Sequence, residues 1–422
     1  MKKLIALSLV FALMLSLVTI ASAETTEISF LNSKGEIQSA LEEVAELYEE
    51  ETGVKIEVIA CGAGESPYTK ITSMYNSGTA PTLAMLDITD IIALAEEKAV
   101  DLTDEAWTAE CETSLLYLND KVYSFPFCVE GRGLIYCKST IEDVLGEEFD
   151  PASINSYDTL KALLENLAAN GMETPVVISK EDWSLAAHQL GLVYDTYDGT
   201  TAGSEVLING LKDGSIKMVD VERYQQFIQT LDLLLEYNIN RADPLGALYE
   251  QDPIFLADKD AAIWFNGNWA WPNLAEAGAS VDDDYGFLPY VLGNDTADFA
   301  NNSMIAAPSK CVMIDREQAS EEQIQAAKDF LNWFVYDEAG QKSLTDTCNI
   351  IPACTNNPNP ATDPLGAAIQ EKMANGQTFG SAYVAPGDHW SALGAEMQKY
   401  IAGKQTKEEL AAAIDEYWTT QE

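Results

Sequence analysis

Histidine is almost absent from this chain: His188 and His389 are the only two in 422 residues. The seven cysteines, Cys61, Cys111, Cys128, Cys137, Cys311, Cys348 and Cys354, include no C-x-x-C pair. A zinc site is therefore a poor reading. The nucleophile elbow G-x-S-x-G, the metalloprotease H-E-x-x-H, the phosphate-binding G-x-x-x-x-G-K-[ST] and the EF-hand loop are missing as well. Asp282-Asp283-Asp284 lacks the alternating ligands and glycine of a calcium loop and reads as a solvated turn. Basic residues are few, 24 Lys+Arg against 68 Asp+Glu. Such a field repels nucleic-acid phosphates and anionic lipid, which excludes a nucleic-acid partner and favours neutral or cationic ligands.

After the first twenty residues no apolar run is long enough to span a bilayer. The beginning itself reads as a signal peptide over residues 1–23. Lys2 and Lys3 are followed by an apolar stretch from Leu4 to Ile20 and by the small residues Ala21-Ser22-Ala23, with cleavage expected after Ala23. No cysteine lies near that site to carry a lipid. The expectation is an exported protein, periplasmic or extracellular at the cell surface. Without the signal, 22 Lys+Arg stand against 68 Asp+Glu, a formal charge of −46. About 400 remaining residues exceed what one hydrophobic core usually serves, so two domains are expected. Seven cysteines cannot all pair, and Cys348 with Cys354 can close a small loop.

From Ile28 the chain alternates strand-like and helical patterns. Ile28 to Leu31 is followed by the polar turn Asn32-Ser33-Lys34-Gly35 and then by Ile37, Leu41, Val44 and Tyr48 on one helical face. Gly53 ends that helix, and Val54, Ile56 and Val58 alternate as a strand. A helix from Pro67 to Asn76, stopped by Gly78, leads to the strand Thr82 to Leu86. This β-α-β-α-β order predicts parallel strands with helices on their faces. Ligands of such sheets sit beyond the strands' carboxyl ends, here Asn32 to Gly35, Cys61 to Ser66 and Asp87 to Asp90. Further on, Val122 to Phe127 and Leu134 to Cys137 read as two strands flanking a break at Val129-Glu130-Gly131-Arg132-Gly133, suited to a crossover between domains. A second α/β unit follows, with a Ser156-led helix ending at Gly171, the strand Pro175 to Ile178, a helix around Tyr224 to Leu235, and the strand Ala261 to Phe265. Ser303 to Ala307 returns as a strand, and the tail is helical at Gln323 to Tyr336, Trp390 to Ala402 and Lys407 to Trp418.

Paired carboxylates would be the mark of a glycosidase, but no spacing singles out a pair among so many acids. Aromatic and amide groups in turns stand out instead. The run from Ala262 to Trp271 places a buried strand before an expected tight Asn266-Gly267 turn, then sets Asn268, Trp269 and Trp271 at a helix start. An indole there can stack on the apolar face of a sugar ring while amides bond its hydroxyls. Trp264 and Trp271 read as core.

Four segments resemble the extracellular solute-binding proteins of sugar ABC importers, and among them the maltodextrin-binding branch. They are Tyr48-Glu49-Glu50-Glu51-Thr52-Gly53-Val54-Lys55-Ile56; Ser77-Gly78-Thr79-Ala80-Pro81; Lys121-Val122-Tyr123-Ser124-Phe125-Pro126 with Val129-Glu130 and Leu134-Ile135-Tyr136-Cys137-Lys138; and Phe265-Asn266-Gly267-Asn268-Trp269-Ala270-Trp271. The resemblance implies a two-lobed α/β fold of the type II periplasmic-binding-protein kind, each lobe a β-sheet flanked by helices, with the ligand cleft at the hinge. It implies an amino-terminal lobe of residues 24–130 and 301–350 and a carboxy-terminal lobe of residues 131–300 and 351–422. It further implies ligand contacts from Glu130 at the hinge, Asn32 and Lys34 in the first loop, Glu181 and Trp183 in the second lobe, Trp269 after the Asn-Gly pair, and Trp390 in the tail. Asp87 and Asn268 join the candidates as a strand end and an amide neighbour. The sequence departs from the pattern at Leu86, where a first-lobe tryptophan is expected, at Thr89-Asp90, and in a first loop shorter by one residue.

Together these readings predict a monomer that needs no cofactor, captures an oligosaccharide by hinge closure, hands it to ABC transporter permease subunits, and is no enzyme. A polyamine-binding protein of the same fold, a secreted glycosidase and a surface adhesin are the rival readings.

Overall fold

The computed structural model describes residues 26–62, 65–381 and 385–421. The expected signal peptide lies outside the described residues. The first half opens with β1 (Glu27–Asn32), α1 (Gln38–Thr52), β2 (Lys55–Ala60), α2 (Pro67–Ser77), β3 (Leu83–Asp87) and α3 (Ile88–Lys98). The predicted β-α-β-α-β unit is there, and β1 pairs in parallel with both β2 and β3. Gly53 and Gly78 end α1 and α2 in the left-handed conformation, with φ of 77° and 72°, as the missing Cβ permits. Alternation along β1 and β3 divides the side chains between two cores. Ile28, Phe30, Leu83 and Met85 face α1 through Leu41, Val44 and Tyr48, while Leu31, Ala84 and Leu86 face Ile71, Ile91 and Leu94. Leu86 is thus a core residue.

One expectation fails at the crossover. Val129 to Gly133 is no break: residues 125–137 form a single strand, β4 (Phe125–Cys137). Its first part, Phe125 to Arg132, pairs antiparallel with β8 (Met304–Ile314). Its second part pairs antiparallel with β6 (Ile263–Gly267) and β7 (Tyr285–Leu288). The glycines that suggested a break serve close packing instead. A Cβ on Gly131 would lie 2.3 Å from Cδ1 of Ile369, and one on Gly133 would lie 2.8 Å from the Leu288 carbonyl oxygen.

The second half is built from α4 (Tyr157–Ala169), β5 (Val176–Val177), a π-helix at Trp183–Leu190, α5 (Glu222–Glu236) and α6 (Trp271–Glu276), and from α8 (Pro364–Ala374), α9 (His389–Ile401) and α10 (Lys407–Thr419), whereas α7 (Glu321–Tyr336) returns to the first core, where Phe330 packs against Phe30 and Tyr48. Ser156 and Thr159 form a capping box at the start of α4. The strand order is β2-β1-β3-β8-β4-β6-β5, so hydrogen bonding runs unbroken from one half to the other through β4 and β8. A large core collects Leu134, the α4 and α5 faces, Leu393, Ile414 and Trp418. Another, around Trp264, Trp271, Ile351 and Ile369, underlies the crossing strands.

The cysteine expectation also changes. Cys354 bonds Cys111, 243 residues away, and Cys348 is buried and free. The hydrogen bond from Thr355 N to the Glu110 carbonyl at 2.9 Å and that from Ser114 Oγ to the Ala353 carbonyl at 2.9 Å bring the two chain segments together there. Asp283 of the triple-aspartate turn is held by Lys259 at 2.9 Å. Among the described residues no group of three His, Cys, Asp or Glu side chains is placed to hold a metal, and no helix is long and apolar enough to cross a membrane.

Candidate ligand cleft

The carboxyl end of β1, the middle of β4 and the end of β6 meet at one place. Lys34, Glu36, Glu130, Asn268 and Trp269 line a common cavity there of about 10 Å³, room for a single water at most. Strand alternation puts Cys128, Glu130 and Arg132 on the same face of β4. Lys34 reaches Glu130, and its Nζ also lies 2.7 Å from Glu36. Burial alone would lower the Lys34 ammonium, but Glu130 and Glu36 hold it well above its ordinary range. Burial likewise works to raise the Glu130 carboxyl, and Lys34 and Ser309 outweigh it, leaving it below its usual value. Two further cations at the cleft are paired: Lys310 Nζ with Asp87 Oδ1 at 2.7 Å, and Arg132 with the fully buried Asp195 at 3.5 Å.

Two candidates serve the scaffold. Asn32 is fully buried. Its amide donates to the Lys34 carbonyl at 2.9 Å and to Gln38 Oε1 at 3.0 Å, and its Oδ1 accepts from Lys34 N at 2.9 Å. It closes the first loop and sets Lys34 in place. Asn268 Oδ1 accepts from Gly131 N at 2.8 Å, which ties the segment carrying Trp269 to the crossing strand. The expected Asn266-Gly267 turn is not formed: Gly267, with φ −121° and ψ 178°, is extended and ends β6. A Cβ there would fall 1.9 Å from Cζ3 of Trp269. The glycine is needed because the indole lies over it.

On the opposite side the π-helix presents Trp183. In this winding the backbone bonds from i to i+5, and the rings of Trp183 and His188 meet edge to face at 5.3 Å. His188 in turn lies 5.0 Å from Trp269, and Tyr249 lies 5.3 Å from Trp183. Asn266 Nδ2 donates to the Tyr249 hydroxyl at 3.2 Å. Glu181 is raised above its usual range by burial, and its Oε2 is buried without a hydrogen-bond partner. Trp390 joins neither indole in a ring contact among the described residues. It shares a face of α9 with Gly394 and Gln398, and that face packs on Asp182 and Lys180. A Cβ on Gly394 would lie 2.3 Å from Asp182 Cβ, and Gln398 donates to the Lys180 carbonyl at 2.9 Å.

His188 and Tyr249 escaped the sequence reading. Helical spacing at i+4 aligns Trp183 with Ala187, and only the wider π turn brings His188 beside it. Tyr249 is brought in by tertiary packing and carries no local signal. A larger depression of about 700 Å³ lies elsewhere, between Tyr197, Ser215 to Lys217 and Asp220 to Arg223. Its cations are engaged, Arg223 with Asp298 at 2.6 Å and Lys217 with Asp415 at 3.8 Å. The aromatic cleft, with its buried unpartnered polar atoms, is the stronger candidate.

The family model for the bacterial extracellular solute-binding protein matches residues 43–371. A multiple sugar-binding protein of Streptococcus mutans is 24% identical over 267 residues, 59% of this chain and 59% of that protein. The chain therefore spans less than two thirds of that relative. A maltooligosaccharide ABC transporter solute-binding lipoprotein of Streptococcus pneumoniae is 26% identical over 84% of this chain and 79% of its own. Among solved structures, a solute-binding protein in complex with raffinose superposes with a TM-score of 0.75 at 18% identity, covering 94% of this chain and 99% of the other. A chitin oligosaccharide binding protein does so at 0.74 and 19%, with the same coverage. These two likenesses establish the two-lobed fold.

Proposed function

The chain belongs to the bacterial extracellular solute-binding proteins, and from that premise we propose that it captures an oligosaccharide for an ABC importer. The relatives at the sequence level are named for sugars and maltooligosaccharides, and the neighbours in structure for raffinose and chitin oligosaccharides. In this reading the chain is exported, loses residues 1–23, and works as a monomer. Residues 24–130 with 301–350 form one lobe, and residues 131–300 with 351–422 the other. A ligand packed against Trp183 and Trp269 of the second lobe bridges the lobes by also reaching Lys34 and Glu130, and its differential contacts favour the closed state that docks on the permease subunits. Trp390 and Glu181 extend the contact surface on the second lobe, Glu130 faces it from the hinge, and Lys34 faces it from the first loop of the other lobe. No bond of the ligand is broken.

The observation that carries the sugar reading is the pair of indoles, Trp183 and Trp269, in ring contact with one and the same side chain. Aromatic faces of this kind pack the C–H faces of pyranose rings. A polyamine would need free carboxylates beside the rings. Glu130, Asp87 and Asp195 are instead engaged with Lys34, Lys310 and Arg132, and burial shifts Glu181, whose Oε2 has no hydrogen-bond partner, towards its neutral form, which weighs against it.

Thermal unfolding with maltotriose, raffinose and chitotriose, set beside putrescine and spermidine, tests the reading. A sugar at about 100 times its dissociation constant should stabilise the protein by about 2.7 kcal/mol. Trp269→Ala should weaken that sugar at least tenfold, about 1.4 kcal/mol, with the unfolding midpoint of the free protein little changed. Stabilisation by a polyamine and by no sugar would overturn the proposal.

A further inference from the structure

No ring contact joins Trp183 to Trp269 among the described residues. The ring that lies between them is His188, at 5.3 Å from one and 5.0 Å from the other, with Tyr249 at 5.3 Å from Trp183. His188 therefore occupies the space between the two indoles that the proposed ligand must contact. Its Nδ1 is buried without a hydrogen-bond partner, and so are Oε2 of Glu181 and both amide atoms of Gln189. A buried polar atom left unpaired costs about 1–3 kcal/mol, and native proteins tolerate few. Here two such side chains, His188 and Gln189, lie in the π-helix Trp183–Leu190 and the third, Glu181, just before it, and this winding recurs at functional sites.

The groups acting on His188 limit what it can recognise. Burial comes first, then Arg132 from β4 and Lys310 from β8, and all three hold the imidazole well below its ordinary range. A neutral imidazole carries one donor and one acceptor. A hydroxyl also donates and accepts, so it can pair with either nitrogen, whereas an ammonium can pair only with the acceptor and would be repelled by the same two cations.

We propose that His188 is a ligand-contacting, specificity-determining residue of this cleft, its imidazole hydrogen-bonding a hydroxyl of the sugar ring that packs against Trp183 and Trp269. The inference rests on the sugar reading of the same cleft and adds to it the group that distinguishes a hydroxylated ring from an apolar one of equal shape. A site with a hydrogen-bonding group so placed rejects the ligand that lacks the matching hydroxyl, because the buried partner is then left unpaired.

The scarcity of histidine makes the test direct. In the full mature protein labelled with ¹⁵N-histidine, only His188 and His389 report, and the His188→Asn variant assigns them by subtraction. The probe is whichever of raffinose, maltotriose and chitotriose raises the unfolding temperature most. At saturation the ring-nitrogen signals of His188 should shift, and those of His389, packed against Tyr194 and Trp418, should not. By calorimetry His188→Phe, which keeps a ring and loses the nitrogens, should weaken that sugar at least about tenfold. His188→Asn, which keeps a donor and an acceptor, should recover part of the loss. Bound sugar with unmoved His188 signals, or His188→Phe binding as tightly as the parent, overturns the inference. If Trp269→Ala weakens binding and His188→Phe does not, the sugar reading stands and this inference alone falls. If none of the three sugars binds, both fall.

Discussion

Lys34 is the most confined of the cations described at the cleft, with 3% of its side chain exposed, and its partner Glu130 is 12% exposed. Removing one member of a buried pair strands the other, at a cost of about 3–5 kcal/mol. Glu36 remains within 2.7 Å of Lys34, so Glu130→Gln should cost the lower end of that range, about 3 kcal/mol in urea titrations. Replacing Lys34 by Met in addition should recover part of it, since no uncompensated ammonium is then left. A Glu130→Gln loss no larger than that of an exposed pair, about 1 kcal/mol or less, would mean that the pair is solvated. At this scale the sequence was only partly legible. The family resemblance named Lys34, Glu130 and Trp183 for the cleft, and the aromatic run at a helix start named Trp269. They did not tell a contact from a support: Asn32 and Asn268 are polar residues at strand ends, yet their amides close the first loop and hold the crossing strand.

The elements were more legible, because periodicity and glycine caps are local. α1, α2, β1, β2 and β3 lie where the spacing of apolar residues places them. Misreadings cluster where glycine had a tertiary reason. Gly131 and Gly133 suggested a break between strands and Gly267 a turn, and all three sit in extended strands against a neighbour that leaves no room for a Cβ. At Gly133 that neighbour is a backbone carbonyl, 2.8 Å from the missing Cβ, which cannot rotate aside. Gly133→Ala should therefore destabilise by about 1–3 kcal/mol. A urea midpoint equal to the parent's would show that β4 can shift to accommodate it. Cysteine pairing was illegible for a related reason: a bond across 243 residues leaves no mark on spacing. Peptide mapping without reduction should find a Cys111–Cys354 cross-link and no Cys348–Cys354 one. Cys111→Ser should cost about 2–5 kcal/mol.

For the whole molecule, excess acid has a consequence that single pairs do not reveal. Three buried aspartates are shifted up from 3.8. Asp90 is pushed to about 7 by burial and then by Asp87. Asp252 is raised to about 7 by burial, against the hydrogen bond from Ser179. Burial raises Asp363 to about 6, against backbone N–H groups. Between about pH 4 and 7 the folded chain holds protons on these groups that the unfolded chain releases, so their contribution is full below about pH 4 and is lost as pH rises through 6 to 7. Self-repulsion of the formal charge of −44 acts in the same direction, since protonation reduces it. Glu130, held low by Lys34, and Asp101, held at about 2 by Lys121 and Thr103, have the opposite sign. Their stability is present above the ordinary carboxylate range and is lost only as pH falls through those lowered values. The two sets leave a maximum near pH 5. Thermal melts at constant ionic strength should give a higher midpoint at about pH 5 than at about pH 8. Asp252→Asn should flatten the slope between them, because it removes the largest class of uptake at one site without adding charge. Raising salt from about 0.02 M to about 0.5 M at the higher pH should recover part of the difference, because only the self-repulsion of exposed charges is screened over such Debye lengths. A midpoint that rises from pH 5 to pH 8 would overturn the assignment of bound protons to the buried aspartates.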